Sequence, residues 1–176
     1  MSEQPGKYQR TFGGMVGALL VLLAVVGAFV VFQDVTSSTP ASPVPTVAYQ
    51  RTAQYARHQA SFRVLAPPRL PARWRATTVG FTPPPKEHWH LGVLTSQDRY
   101  VGLEQGTATP QDMLKAYVDK HPTQGRAVTV AGATWSTWTD PGGVLALVRR
   151  AAGATTLVEG HDVPMAQLKA YITSLR

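Results

Sequence analysis

The residues best placed to do chemistry form a short triplet, His88-Trp89-His90. In an extended strand, side chains alternate between faces, so two histidines two residues apart project together and can chelate a metal or share a proton. Glu87 and Glu104 are the carboxylates that could join them. A metal site of His88, His90 and Glu104 is a weak candidate, because zinc takes three or four protein ligands and no further donor is evident. The plainer expectation is a core Trp89 flanked by two solvent-facing imidazoles.

Other chemistries find less support. The chain has no cysteine, which excludes thiolate nucleophiles, disulfides and cysteine-held metals. Four serines occur after the linker, Ser61, Ser96, Ser136 and Ser174, and none lies in a nucleophile-elbow pattern. Gly142-Gly143 follows Asp140-Pro141 and reads as a turn, not a phosphate loop. No catalytic residue and no cofactor is therefore expected, and an enzyme is the lesser expectation.

Charge offers a different function. The 176-residue chain carries a net charge of +7. Arg51, Arg57, Arg63, Arg69, Arg73 and Arg75 lie in a stretch, Val35 to Lys86, without one Asp or Glu. Such a segment attracts anionic lipid headgroups or acidic polymers. Trp74, Trp89 and Tyr100 are candidate surface aromatics beside it, since a ring with a polar tip serves well at an interface.

The segment that would position these groups lies at the N-terminus. From Phe12 to Phe32 the chain is apolar and uncharged. As a helix this run spans ~31 Å, close to the hydrocarbon thickness of a bilayer. Lys7 and Arg10 precede it and Asp34 follows, so the positive-inside rule places residues 1–11 in the cytoplasm and the rest outside. The expectation is a cytoplasmic tail over 1–11, a transmembrane helix over 12–33, a Ser/Thr/Pro linker over 34–46 and an outer domain over 47–176. Thr39-Pro40-Ala41 offers a cleavage site for the competing signal-peptide reading, but it lies beyond an apolar run that is long for a signal peptide. Gly13 and Gly17 form a GxxxG that would let two such helices pack as a homodimer. Outside a cell, nucleic acid is not an expected partner. Envelope proteins, anionic lipids and cell-wall polymers are.

The outer domain reads as α+β. A helix is expected over Val47–Ala60, then a Pro-interrupted stretch, Phe62–Trp74, running extended over the surface. Strands follow at Trp74–Phe81, Trp89–Thr95 and Tyr100–Gln105, the last two as a hairpin. Thr109-Pro110-Gln111-Asp112 opens a helix with an N-cap, proline at the first position and an acidic third residue. Strands are expected at Ala127–Val130, Thr134–Thr139, Val144–Arg150 and Thr155–Glu159, and a last helix from Pro164. Trp135 and Trp138 should face opposite sides. Short loops throughout imply an antiparallel sheet of about six to seven strands with helices packed on one face.

Leu70-Pro71-x-x-Trp74-Arg75, Trp89-His90-Leu91-Gly92-Val93-Leu94-Thr95 and Tyr100-Val101-Gly102-Leu103-Glu104-Gln105 together resemble the DUF4245 family, as do Gly132-Ala133-Thr134-Trp135, Ala146–Arg149 and Glu159-Gly160. The resemblance covers nearly the whole chain. It implies an actinobacterial, membrane-anchored protein of unknown function, and it brings no site residues with it.

Three functions follow from these readings. The leading one is a non-enzymatic envelope module that binds a partner protein, lipid or polymer. The second is a metal-dependent or hydrolytic enzyme centred on His88, His90 and Glu104. The third is a structural subunit of a membrane complex, assembled through Gly13 and Gly17.

Overall fold

The computed structural model describes residues 45–176, a single compact unit beginning at Pro45. The expected anchor, its Gly13 and Gly17, and most of the linker lie outside the described residues. Among the described residues no helix is long and apolar enough to cross a membrane.

The chain runs α1 (Tyr49–Gln59), β1 (Arg75–Thr82), β2 (His88–Leu94), β3 (Tyr100–Gly106), α2 (Pro110–Tyr117), β4 (Thr123–Gln124), β5 (Val128–Val130), β6 (Ala133–Thr139), β7 (Val144–Ala151), β8 (Ala154–His161) and α3 (Met165–Ser174). Eight strands form one antiparallel sheet in the order β1-β2-β3-β8-β7-β6-β4, with β5 paired to β6. Two meanders, β1-β2-β3 and β6-β7-β8, are joined by the β3–β8 ladder. The strand beyond the expected seven is β4, two residues paired to Thr139 and Trp138 and too short to leave a sequence pattern.

Turn chemistry closes the hairpins. Ala131-Gly132 and Ala152-Gly153 are two-residue loops with positive φ at both positions. That geometry matches the right-handed twist of the flanking strands. Thr109 caps α2 as expected, its hydroxyl accepting from the Asp112 backbone N–H and donating to the Asp112 carboxylate at 2.7 Å.

One face of the sheet carries the main core. Trp89, Leu91, Val93, Val101, Leu103, Leu147 and Val158 pack there against Tyr49 and Ala53 of α1 and Leu168 and Tyr171 of α3. The Pro-rich stretch between α1 and β1 does more than cross the surface. Phe62, Val64 and Ala66 alternate inward and are buried, so the segment acts as a strap over this core. The Trp89 indole N–H donates to the Leu65 carbonyl at 3.0 Å, and Ala66 exchanges two backbone hydrogen bonds with Arg176.

The expectation of helices on one face is corrected. Met113 and Leu114 of α2 pack with Val148, Leu157, Tyr117 and Trp138. These strand residues alternate with Leu147 and Val158, so α2 covers the opposite face. Its loop enters from the far end of β3, and its apolar stripe finds the two buried aliphatics of β7 and β8 there. Trp135 joins the main core and Trp138 the second cluster, on opposite sides as expected.

Trp89 is completely buried, so it is not a surface contact. Trp89→Ala should lower unfolding free energy by ~3–5 kcal/mol. Trp74→Ala, removing a half-buried ring stacked on Tyr171, should cost clearly less in the same denaturant titration.

Candidate functional site

The second face is polar where the first is apolar. On β3, Glu104 stands directly opposite His90 of β2, and Leu157 of β8 lies on its other side. Glu104 is 1% exposed, a carboxylate within the sheet layer. Burying it requires partners, because an unpaired charge in such surroundings is costly.

Imidazoles are the nearest partners. His90 Nδ1 lies 2.6 Å from Glu104 Oε1. His88 Nε2 lies 2.8 Å from Glu104 Oε2. The second contact lacks the alignment of a hydrogen bond, and Oε2 receives no directed donor. The His88 nitrogen also meets the Tyr117 hydroxyl of α2 at 3.0 Å, and the two rings stack nearly parallel.

The far side of His90 faces a hydroxyl. His90 Nε2 is 2.7 Å from Thr78 Oγ1, on the exposed surface of β1. Thr78 reaches this face through a β-bulge. Ala76 pairs with Val93 but Thr78 pairs with Gly92, so Thr77 is an extra residue and the register shifts by one. Without the shift Thr78 would oppose Leu91 and point at the main core.

Two glycines leave room for the cluster. Gly92 and Gly102 are cross-strand partners. A Cβ at Gly92 would fall 2.2 Å from Thr78 Oγ1 and 2.9 Å from the Tyr100 hydroxyl. One at Gly102 would fall 2.4 Å from Glu159 Oε1. Tyr100 therefore lies over bare backbone, with its hydroxyl beside that of Thr78.

Protonation is perturbed at four of these groups, His90, Glu159, Tyr100 and Tyr117. The hydrogen bond to Glu104 raises the pKa of His90 above its ordinary value, against the opposing effect of burial. Burial, then the negative charge of Glu104, pushes the Glu159 carboxyl up to about 7. Burial is also the main reason that Tyr100 and Tyr117 hold their protons more tightly than usual.

His88, His90 and Glu104, joined from sequence as possible metal donors, do converge. Yet they are bonded to one another instead of aimed at a common empty point, and among the described residues no group of three or more acidic or imidazole side chains is arranged to hold a metal ion. Glu87 does not join them. Its buried carboxylate accepts from the Ser61 backbone N–H and hydroxyl and so ties the strap to β2. Sequence reasoning missed Thr78, Glu159 and Tyr117. Thr78 depends on a bulge, and Glu159 and Tyr117 come from elements far along the chain. The only traces were the glycines at the centres of β2 and β3, since glycine inside a strand marks close approach.

The basic residues are elsewhere. Arg51 and Arg57 lie on α1, Arg63, Arg69 and Arg73 on the strap, and Arg75 opens β1. Arg75 pairs with Asp98 at 2.7 Å, and Arg57 donates to the carbonyls of Val64 and Arg176. Arg51, Arg63, Arg69 and Arg73 are exposed. Arg57, Arg63 and Arg176 border a cleft of about 510 Å³ floored by Tyr49, Ala53 and Val64. Tyr100 belongs to the face opposite α1 and the strap, so Trp74, Tyr100 and the arginines of those segments do not form one ridge; of the six, Arg75 lies on the Tyr100 side, both being partners of Leu94.

A family model described as "Protein of unknown function (DUF4245)" matches residues 7–175. The chain belongs to that family. No curated protein and no solved structure matches it.

Proton linkage at this face predicts a pH dependence. The raised pKa of Glu159 means that its proton is bound more tightly folded than unfolded. The stabilisation is complete below the unfolded carboxyl range and is lost as pH rises to about 7. His90 acts in the same direction, stabilising below its ordinary value and losing that contribution as pH rises through the raised one. Thermal unfolding from pH 4.5 to 8.5 should show a midpoint that falls with pH. Glu159→Gln should flatten the curve, removing a dependence on the order of 3 kcal/mol.

Proposed function

We propose that this DUF4245 protein is a single-pass envelope protein, cytoplasmic at its N-terminus, whose outer domain is a binding module for anionic surfaces at the membrane. The observation that carries the reading is the placement of Arg51, Arg63, Arg69 and Arg73. All four are exposed on α1 and the strap, in the part of the chain without a carboxylate before Glu87. They stand on the layer that directly follows the linker. Arg57 and Arg75, engaged by carbonyls and by Asp98, contribute to folding more than to contact.

Each well-placed cation near an anionic leaflet is worth about 1 kcal/mol, so four suffice for weak, salt-sensitive attachment that the anchor would make local. Anionic lipid is the preferred ligand, and an acidic wall polymer would offer the same charge.

A second reading, a hydrolytic activity on the opposite face, is favoured by the convergence of His88, His90 and Glu104. The two readings use different sides of the sheet and do not compete for residues.

In bilayer nanodiscs, the full chain should hold additional anionic vesicles but not phosphatidylcholine vesicles. Capture should fall severalfold between 50 mM and 300 mM salt, as screening of surface charge requires. Replacing Arg51, Arg63, Arg69 and Arg73 together by Ala should abolish it. Capture that is indifferent to salt and to this replacement would refute the electrostatic reading.

A further inference from the structure

Glu104, His90 and Thr78 stand in a line from buried to exposed. The carboxylate is held within the sheet, the imidazole is about a quarter exposed, and the hydroxyl is at the surface. The acid meets Nδ1 at 2.6 Å and the hydroxyl meets Nε2 at 2.7 Å. That order fixes the tautomer of the neutral ring. Nδ1–H donates to Glu104, which leaves the Nε2 lone pair facing the Thr78 hydroxyl. It is the arrangement by which a carboxylate orients a histidine and the histidine activates a hydroxyl for attack on a carbonyl.

We propose that Thr78 is the nucleophile of an acyl-transfer site on this face, with His90 as its general base, Glu104 orienting the imidazole, and a carboxylic ester as the substrate class. The inference rests on the hydrolytic reading and names its reacting atom. In the first step Thr78 Oγ1 bonds to the acyl carbon and its proton passes to His90 Nε2. The ester C–O bond then breaks, and the leaving alkoxide takes the proton from Nε2 as the alcohol departs. Water, deprotonated in turn by Nε2, attacks the acyl-threonine and frees the acid and the hydroxyl.

Three independent features of the backbone serve this arrangement. The bulge at Thr77 turns Thr78 from the core to His90. Gly92 leaves the space that Thr78 Oγ1 occupies. Gly80, the partner of His90 on β1, has nothing within 4 Å of where a Cβ would stand, so the surface beside the imidazole is open to a substrate. A donor is also at hand. The Tyr100 hydroxyl stands beside Thr78 over Gly92 and holds its proton more tightly than usual, and it can meet the oxyanion that forms on the attacked carbonyl.

The test uses the full chain in detergent micelles, a fluorophosphonate probe and p-nitrophenyl butyrate. Peptide mass spectrometry should find the phosphonyl adduct on Thr78. Thr78→Val should lose both adduct and turnover, Thr78→Ser should keep them, and His90→Gln should slow turnover about 100-fold or more. Unfolding midpoints of the variants, compared with the parent chain, separate loss of chemistry from loss of fold. Turnover that needs His90 but survives Thr78→Val would overturn the nucleophile and leave the hydrolytic reading standing, with water attacking directly. A folded chain with neither adduct nor turnover would overturn both.

Discussion

The β3–β8 ladder is the constraint on which the rest of this domain depends. It joins two meanders that are otherwise separate in sequence, and it has no turn to hold its register. Register here is fixed by burial on both sides. Leu103 opposite Val158 belongs to the main core, and Glu104 opposite Leu157 belongs to the other face. A slip of one residue would exchange these faces and turn Glu104 toward Leu147, Val158 and Leu168. The buried carboxylate thus works against misregister as well as within its own cluster, because only one pairing keeps it out of the apolar core.

The two faces divide the labour. One is closed by α1, α3 and a proline-rich strap whose inward residues behave as a strand without a ladder. The other is covered by α2 only over Val148 and Leu157, and it keeps polar groups over β1, β2 and β3. Tyr100 over the Gly92–Gly102 pair shields backbone that a side chain would normally protect. A sheet with two apolar faces would be more stable. This one retains a carboxylate of raised pKa, which costs stability at neutral pH and is the kind of expense that accompanies function.

Much of the architecture was legible in the sequence for identifiable reasons. Thr109, Pro110 and Asp112 announce α2 through capping chemistry, and Ala152-Gly153 announces a hairpin through its turn. The alternation around Trp89 places that ring in the core and His88 and His90 opposite. Which face α2 would cover was not legible, because its stripe of Met113, Leu114 and Tyr117 fits any apolar surface. Of the site, His88, His90 and Glu104 were joined correctly by type, but their geometry was not. Whether two imidazoles meet a carboxylate or a metal depends on ångström-scale placement that composition does not encode. Thr78 was invisible because a threonine in a strand is ordinary until its register is known.

The extra residue at Thr77 also bears on how the strand tolerates a change of length. Insertions of one residue usually accumulate in loops, where they leave the framework untouched. Here the bulge takes up one residue inside an edge strand, and Ala76 and Val79 both stay buried or half-buried on the core side. Deleting Thr77 would set Ala76, Thr78 and Val79 opposite Val93, Gly92 and Leu91 in unbroken alternation, so the hydroxyl would face the imidazole all the same. The bulge is thus a splice by which the strand carries one residue more without exchanging its faces.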